Sequence, residues 1–316
     1  MKRGFIMERY QYSNALRGPK LGIGNLKLTN PLLRLFFWIN DFKGKIFKPI
    51  LNTTKTKILV KGYEDAVLNC YVINPDRLDT NAPTIIYLHG GGFFGGFAPI
   101  NFINACFYAN ELKCRVFLPE YRTSYKYKYP IPVEDCYEAT KFIYDNAKTL
   151  MVNNNRFVVY GDSAGGCLAA AVSLMARDRK TFSIAMQMLI YPVTDYLQLG
   201  KSLKTYPLAT WSTAATRRMW KLYLGKVNPI NIGYASPLYA DSLNNLPFAY
   251  VEPQEIDCLC DEGIAFAKRL EASKVATILN VIKGSYHAFE EEYPNLFVLN
   301  ILHQRCDQLR KTPYLK

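Results

Sequence analysis

The sequence predicts an α/β fold with a mostly parallel central sheet and helices on both faces. Three observations carry that expectation. Short apolar, strand-like runs alternate with segments of helical period; Gly161-Asp162-Ser163-Ala164-Gly165 joins one such run to a small-residue helix; and His89-Gly90-Gly91-Gly92 closes another. Strand and helix alternation calls for parallel strands linked by crossover helices, and in such sheets ligands sit beyond the carboxyl ends of the strands. A chain of 316 residues, 49% apolar, suffices for one large domain with a filled core. No linker-like segment, internal repeat or low-complexity tract interrupts it.

Taken in order, strands are expected at 66–73, 84–88, 115–121, 157–160, 185–191, 248–251 and 276–282. Helices are expected at 102–112, 133–150, 164–177, 261–273 and 295–309, the second of them after the turn signal Pro130-Ile131-Pro132. A further helix precedes them all. Asn30-Pro31 is a start signal, an N-cap residue followed by proline at the first helical position. On its wheel Leu32, Leu35, Phe36, Ile39, Phe42, Ile46 and Phe47 share one face, with Arg34, Asp41, Lys45 and Lys48 opposite. That apolar face is suited to packing on the core, covering the mouth of a site, or lying on an anionic membrane surface.

The net charge of +13 is unevenly spread. Residues 1–61 carry thirteen Lys/Arg against Glu8 and Asp41, a net +11, which leaves only +2 for the remainder. The basic character belongs to the N-terminal segment, so the charge gives no reason to expect an acidic substrate, and no nucleic-acid partner is expected. The basic start is not followed by an apolar stretch of signal-peptide length, and the longest early apolar run, 35–39, is far too short to cross a bilayer. The protein is therefore expected to be soluble and cytoplasmic, without stable membrane insertion. Weak surface association through the basic helix, and a homo-oligomer, are left open.

Eight cysteines, at 70, 106, 114, 136, 167, 258, 260 and 306, form no C-x-x-C pair and read as reduced, mostly buried thiols. Zinc at Cys258 and Cys260 is disfavoured by the lack of a second cysteine pair and by only three histidines. No metal or cofactor is expected.

The chemistry is concentrated at strand ends. A serine on a tight turn between the run Phe157-Val158-Val159-Tyr160 and a helix has its hydroxyl pushed out of the backbone, while flanking glycines let the chain pass close by. This makes Ser163 a candidate nucleophile. The glycines after His89 free backbone N–H groups to approach a negative oxygen, and losing one such donor typically costs about 3–4 kcal/mol in a transition state. A serine hydroxyl needs a base, and imidazole has a suitable pKa. Of the three histidines, His89 belongs to the glycine loop and His303 lies mid-helix, whereas His287 follows the last expected strand in a loop. The base needs a carboxylate, and five acids lie between Glu252 and Glu262. Asp261 and Glu262 suit the first turn of the next helix, which leaves Glu252, Glu255 and Asp257 open. The chain order of serine, acid and histidine is that of α/β-hydrolases.

Here the chain resembles the hormone-sensitive-lipase-like esterases of the α/β-hydrolase fold. The resemblance rests on His89-Gly90-Gly91-Gly92, Gly161-Asp162-Ser163-Ala164-Gly165-Gly166, Leu189-Ile190-Tyr191-Pro192-Val193-Thr194-Asp195, Ser236-Pro237-Leu238 and Glu255-x-Asp257-x-Leu259-x-Asp261-Glu262-Gly263, and covers roughly residues 60–310. It implies Ser163 as nucleophile, Asp257 as acid, His287 as base, and the N–H groups of Gly91, Gly92 and Ala164 as oxyanion hole. It also implies a helical cap made by an N-terminal segment, residues 1–55, and an insertion at about 196–232, over a catalytic domain of residues 56–316. In that insertion Tyr206, Trp211, Met219, Trp220 and Tyr223 suit either an acyl pocket or an anchor to the main domain. Cys258 and Ala288 stand where the family usually has proline after the acid and glycine after the histidine. The activity implied is hydrolysis of small-molecule, short-chain acyl esters by a serine carboxylesterase. Amide or formamide hydrolysis by the same triad, and a non-catalytic receptor on the same fold, are the alternatives.

Overall fold

The structure, a computed structural model, describes residues 10–18, 31–208, 210–225 and 231–314, the side chains of 31–33 excepted. The other residues, and with them much of the N-terminal basic segment, lie outside the described ones.

Eight strands form one sheet in the order β1-β2-β4-β3-β5-β6-β7-β9. They are β1 Thr53–Lys61, β2 Val67–Pro75, β3 Thr84–Leu88, β4 Val116–Pro119, β5 Phe157–Asp162, β6 Met186–Ile190, β7 Phe248–Glu252 and β9 Thr277–Leu279. The pairs β1–β2 and β2–β4 are antiparallel and all others parallel. A separate parallel pair joins β8, Gln254–Ile256, to β10, Ile282–Tyr286. The fold is that of the α/β-hydrolases, as expected.

The ten helices among the described residues are α1 Pro31–Lys45, α2 Pro99–Leu112, α3 Ile131–Asp145, α4 Ala147–Leu150, α5 Ala164–Arg179, α6 Ser202–Thr205, α7 Thr213–Leu224, α8 Ile232–Ala235, α9 Cys260–Ala272 and α10 Leu296–Arg310. The pleat sends alternate residues to opposite layers. Ile86, Leu88 and Val159 pack with Leu168, Val172 and Leu270 of α5 and α9, while Ile85, Tyr87, Val158 and Tyr160 pack with Phe102 and Leu302 of α2 and α10. Both faces are thus covered, which is why the central strands read as nearly unbroken apolar runs.

Three expectations change. Strand β1 was not foreseen, because its Thr-Thr-Lys-Thr-Lys start looks polar; as an antiparallel edge strand it needs only intermittent burial. It also begins two residues before the expected boundary at 55. Residues 276–282 do not form one strand: β9 takes Thr277–Leu279, and Ile282 opens β10, which runs on through Gly284-Ser285-Tyr286, expected as loop. The third change concerns α1. The helix forms, but its expected apolar face does not pack on the core: Leu35, Phe36, Ile39, Phe42 and Ile46 are exposed, and Phe37, Asp41 and Gly44 turn inward instead. The side chain of Leu32 lies outside the described residues, and Phe47 stacks on Phe102 with ring centroids 6.2 Å apart.

Register fixes where a site can form. Leu88 lies opposite Gly161, Asp162 opposite Ile190, and Ile190 opposite Glu252, so four strands end on one line.

Candidate active site

The elbow sits on that line. Ser163 follows β5 with φ 57° and ψ −122°, a conformation L-residues rarely adopt, and α5 begins at the next residue. Its backbone is held on both sides: Ser163 N–H donates to the Ile190 carbonyl at 2.9 Å, and Val193 N–H donates to the Ser163 carbonyl at 3.1 Å. Glycine is required around it. A Cβ on Gly161 would lie 2.0 Å from the Gly165 carbonyl oxygen, and one on Gly165 would lie 2.0 Å from that of Leu88.

Three of the sequence-derived candidates meet here. His287 Nε2 lies 2.9 Å from Ser163 Oγ, and His287 Nδ1 lies 2.7 Å from Asp257 Oδ2. All three are buried. An ionised Asp257 can only accept, so Nδ1 carries the hydrogen and the Nε2 lone pair faces the serine hydroxyl. Asp257 is oriented in turn by Leu259 N–H, which donates to Oδ1 at 3.1 Å. Burial on its own lowers the pKa of His287, but the Asp257 carboxylate, with Glu290 and Asp162 farther off, outweighs it and the net shift is upward.

The two other open acids are engaged elsewhere. Glu252 is fully buried against Arg305, and Glu255 pairs with Lys283 at 2.9 Å and accepts from Gly284 N–H. Asp261 and Glu262 lie in the first turn of α9, as expected, where Asp261 accepts from Ser202 N–H and Glu262 from Thr194 N–H. His303 is a half-exposed surface residue 3.7 Å from Glu111.

The glycine loop lies against the elbow. Gly91 and Gly92 have φ of 107° and 63°, and a Cβ on Gly90 would come 3.2 Å from Ser163 Cβ. Among the described residues, the N–H groups of Gly91, Gly92 and Ala164 donate to no protein acceptor. His89 braces the loop: burial pushes its pKa down to about 4, so it is neutral, and Nδ1–H donates to the Gly90 carbonyl at 2.7 Å. Its ring is stacked on Tyr121 with centroids 4.4 Å apart.

Sequence reasoning missed two supports. Asp162, quoted within the elbow but given no role, accepts from Gly90 N–H at 3.2 Å and ties the glycine loop to the serine turn. Burial raises its pKa to about 7 against the opposing effect of the nearby Tyr87 hydroxyl. The second is Tyr191, whose ring lies 4.6 Å from that of His287 while its hydroxyl donates to Glu290 at 2.9 Å. The acid position beside the nucleophile was the available signal for the first; nothing local announced the second.

The two unusual residues fit their places. Cys258 Sγ donates to the Trp211 carbonyl at 3.4 Å, joining the Asp257 loop to residues 196–232. Ala288 has φ 59° and ψ 34°, a left-handed conformation in which glycine is easier, so the family's glycine has a backbone reason. Within residues 196–232, Trp211 lies 6.0 Å from His287 and 6.4 Å from Phe94, ring to ring. Trp220 and Tyr223 are buried against Phe93, the latter stacked at 3.9 Å. On the other side Phe37 of α1 packs edge-on against Phe94 at 5.0 Å.

Comparison with known proteins agrees with this fold. A family described by the alpha/beta hydrolase fold matches residues 85–291. An arylesterase of Saccharolobus solfataricus is 33% identical over 244 residues, covering 76% of this chain and 78% of that protein. An ethyl acetate hydrolase of Pseudomonas putida is 30% identical over 207 residues, 65% of each chain. Among solved structures, a bacterial heroin esterase superposes with a TM-score of 0.83 at 27% identity, covering 94% of this chain and 95% of that one. With the family match spanning most of the chain, and the elbow and glycine loop meeting at the sheet's carboxyl edge, the chain belongs to the hormone-sensitive-lipase-like esterase family of the α/β-hydrolase fold.

Proposed function

We propose that the protein hydrolyses short-chain carboxylic esters through an acyl-enzyme on Ser163. The observation that carries this reading is the continuous relay from Ser163 Oγ to His287 at 2.9 Å and on to Asp257 at 2.7 Å. As Ser163 attacks the ester carbonyl, its proton passes to His287 Nε2, and Asp257 stabilises the imidazolium. The tetrahedral oxygen takes its negative charge toward the N–H groups of Gly91, Gly92 and Ala164, which need no reorganisation to receive it. Collapse breaks the ester C–O bond, and His287 returns the proton to the departing alcohol. Water then attacks the acyl group with His287 as base, releasing the acid and restoring the Ser163 hydroxyl.

Residues 1–55 and about 196–232 act in this reading as a cap over a catalytic domain of residues 56–316. Trp211 beside His287 and Phe37 behind Phe94 support that arrangement, since both bring rings from those segments onto the glycine loop. The substrate is a small-molecule ester. The compartment proposed is the cytoplasm, consistent with eight free, buried cysteines. No helix among the described residues is long and apolar enough to cross a membrane.

The test is 4-nitrophenyl acetate hydrolysis by wild type and Ser163→Ala. We expect the variant to fold and to lose turnover by several orders of magnitude; undiminished hydrolysis would eliminate the acyl-enzyme. A series of 4-nitrophenyl esters of increasing chain length measures the acyl preference, and a rate that climbs toward long chains would overturn the short-chain assignment.

A further inference from the structure

Helix α1 is mounted with its apolar side outward. At 100° per residue, Trp38, Phe42, Leu35, Ile46, Ile39 and Phe36 fall on one continuous arc, and every one of them is at least 36% exposed. Trp38, at 63%, is the most exposed of them, and its ring stacks on that of Phe42 one turn on. Polar contacts enforce this orientation. Asp41 accepts from Phe97 N–H at 3.0 Å and pairs with Lys45 at 2.6 Å, Lys45 pairs with Glu120, and Gly44 is pressed against Phe97.

The patch continues onto the sheet edge. Trp38 and Val67 line one surface depression, and the β1–β2 register puts Leu59 on the same sheet face as Val67. Both are exposed, at 61% and 70%. Cations border this surface. Arg34 borders the helical arc beside Trp38, Lys43 falls near its other end between Ile39 and Phe36, Lys48 follows the helix, and Lys57 stands beside Leu59 on β1, all of them exposed. Across residues 31–61 there are seven Lys/Arg and a single acid, Asp41, which faces inward. The acids on this surface are Asp41 and Glu120, which line the same depression as Trp38 and Val67 and are both paired with Lys45, and Glu64 and Asp65 on the turn after β1, where Asp65 pairs with Lys61 at 3.2 Å.

We propose that the outer face of α1, with the adjoining edge of β1 and β2, docks on an anionic lipid bilayer. A contiguous exposed apolar patch of this kind marks an interaction site. A helix with a Trp/Phe/Leu/Ile face and basic margins has the composition of one lying in the headgroup plane, rings toward the acyl chains and ammonium groups toward phosphates. Charge separates this occupant from a second copy of the chain. A two-fold dimer through this face would set one cationic margin against another, whereas anionic headgroups complement both.

The experiment is co-sedimentation of the full chain with phosphatidylcholine vesicles, with and without phosphatidylglycerol, at low and raised salt. Binding is expected to the phosphatidylglycerol vesicles, to fall with salt, and to be at least about tenfold weaker on phosphatidylcholine alone. The exposed-site triple variant Trp38→Ser/Phe42→Ser/Ile46→Ser is expected to lose binding while keeping the wild-type circular dichroism spectrum and a cooperative thermal unfolding transition, which certifies its fold. Lys43→Glu/Lys48→Glu is expected to weaken binding by about tenfold or more. Equal binding to both vesicle types, undiminished binding by the triple variant, or no binding at all would overturn the proposal. A wild-type dimer that becomes monomeric in the triple variant, without vesicle binding, would assign the face to a second copy instead.

Discussion

His287 is pulled in two directions, and the balance is readable in a rate. Burial, the largest single effect, disfavours its charged form, but Asp257 at 2.7 Å together with Glu290 and Asp162 outweighs it, so its pKa lies above the ordinary histidine value. The neutral imidazole is the base. Hydrolysis is therefore expected to rise with pH through a single inflection above about 6.5, the unperturbed value. Stability should run the other way. A raised folded-state pKa means the charged form is favoured by folding, so this group's contribution is fully present below the unfolded pKa and is lost as pH climbs through the folded one. Asp257→Asn should remove most of the upward pull, move the inflection to lower pH and reduce kcat by about 10⁴-fold by disturbing the tautomer. A kcat/KM profile flat between pH 5 and 8 would remove His287 from the base role. At this scale the sequence was informative for a physical reason: the elbow and glycine loop require particular residues at particular backbone angles, and glycine and serine announce them. The acid was not so marked. Glu252, Glu255 and Asp257 are equivalent in composition, and only the fold shows that two are occupied by Arg305 and Lys283.

Between elements, the glycine loop is clasped from two sides. Asp162 holds Gly90 from the elbow, and Asp41 of α1 holds Phe97 at the loop's far end. Asp41→Ala removes the second clasp and leaves Lys45 with Glu120 alone. We expect kcat for 4-nitrophenyl acetate to fall about tenfold with KM little changed, alongside a loss of stability of about 1 kcal/mol from the missing hydrogen bond. A stability loss with kcat intact would make α1 a packing element only. The same helix shows where element-level reading stops. Its existence was legible from Asn30-Pro31 and its period, but an apolar arc says which residues share a face, not that the face turns inward. Asp41 and Gly44 decided that through contacts with Phe97, some fifty residues on in the chain. Strand β10 was hidden for a related reason. Ile282-Lys283-Gly284-Ser285-Tyr286 has weak strand propensity, and its pairing with β8 depends on a segment about thirty residues away.

Across the whole molecule, the C-terminal helix is joined to the site by one buried cation. Arg305 of α10 is fully buried, and its Nη2 donates to Glu252 Oε1 at 2.5 Å and to Glu290 Oε1 at 2.6 Å. Glu252 ends β7, and Glu290 lies three residues beyond His287 and accepts from Tyr191, the ring beside His287. No local pattern in the sequence marks this triad, because its members are far apart in the chain and each would pass alone as a surface charge. Burial lowers the pKa of Arg305, yet Glu252, Tyr108 and Glu290 together push it upward on balance, so the guanidinium stays charged between two carboxylates. Arg305→Met leaves both acids buried without a cation. Breaking a buried pair from one side typically costs about 3–5 kcal/mol, because a desolvated charge is left uncompensated. We expect urea unfolding at pH 7 to show a loss of stability of that order. Replacing all three, Arg305→Met/Glu252→Gln/Glu290→Gln, should recover most of the loss, since neutral groups carry no such penalty. Activity separates the two possible consequences. If the network only holds α10 in place, the triple variant regains stability and kcat together; if Glu290 also steadies Tyr191 against His287, stability returns while kcat stays low. An Arg305→Met midpoint equal to wild type would mean that the cation is dispensable to the fold.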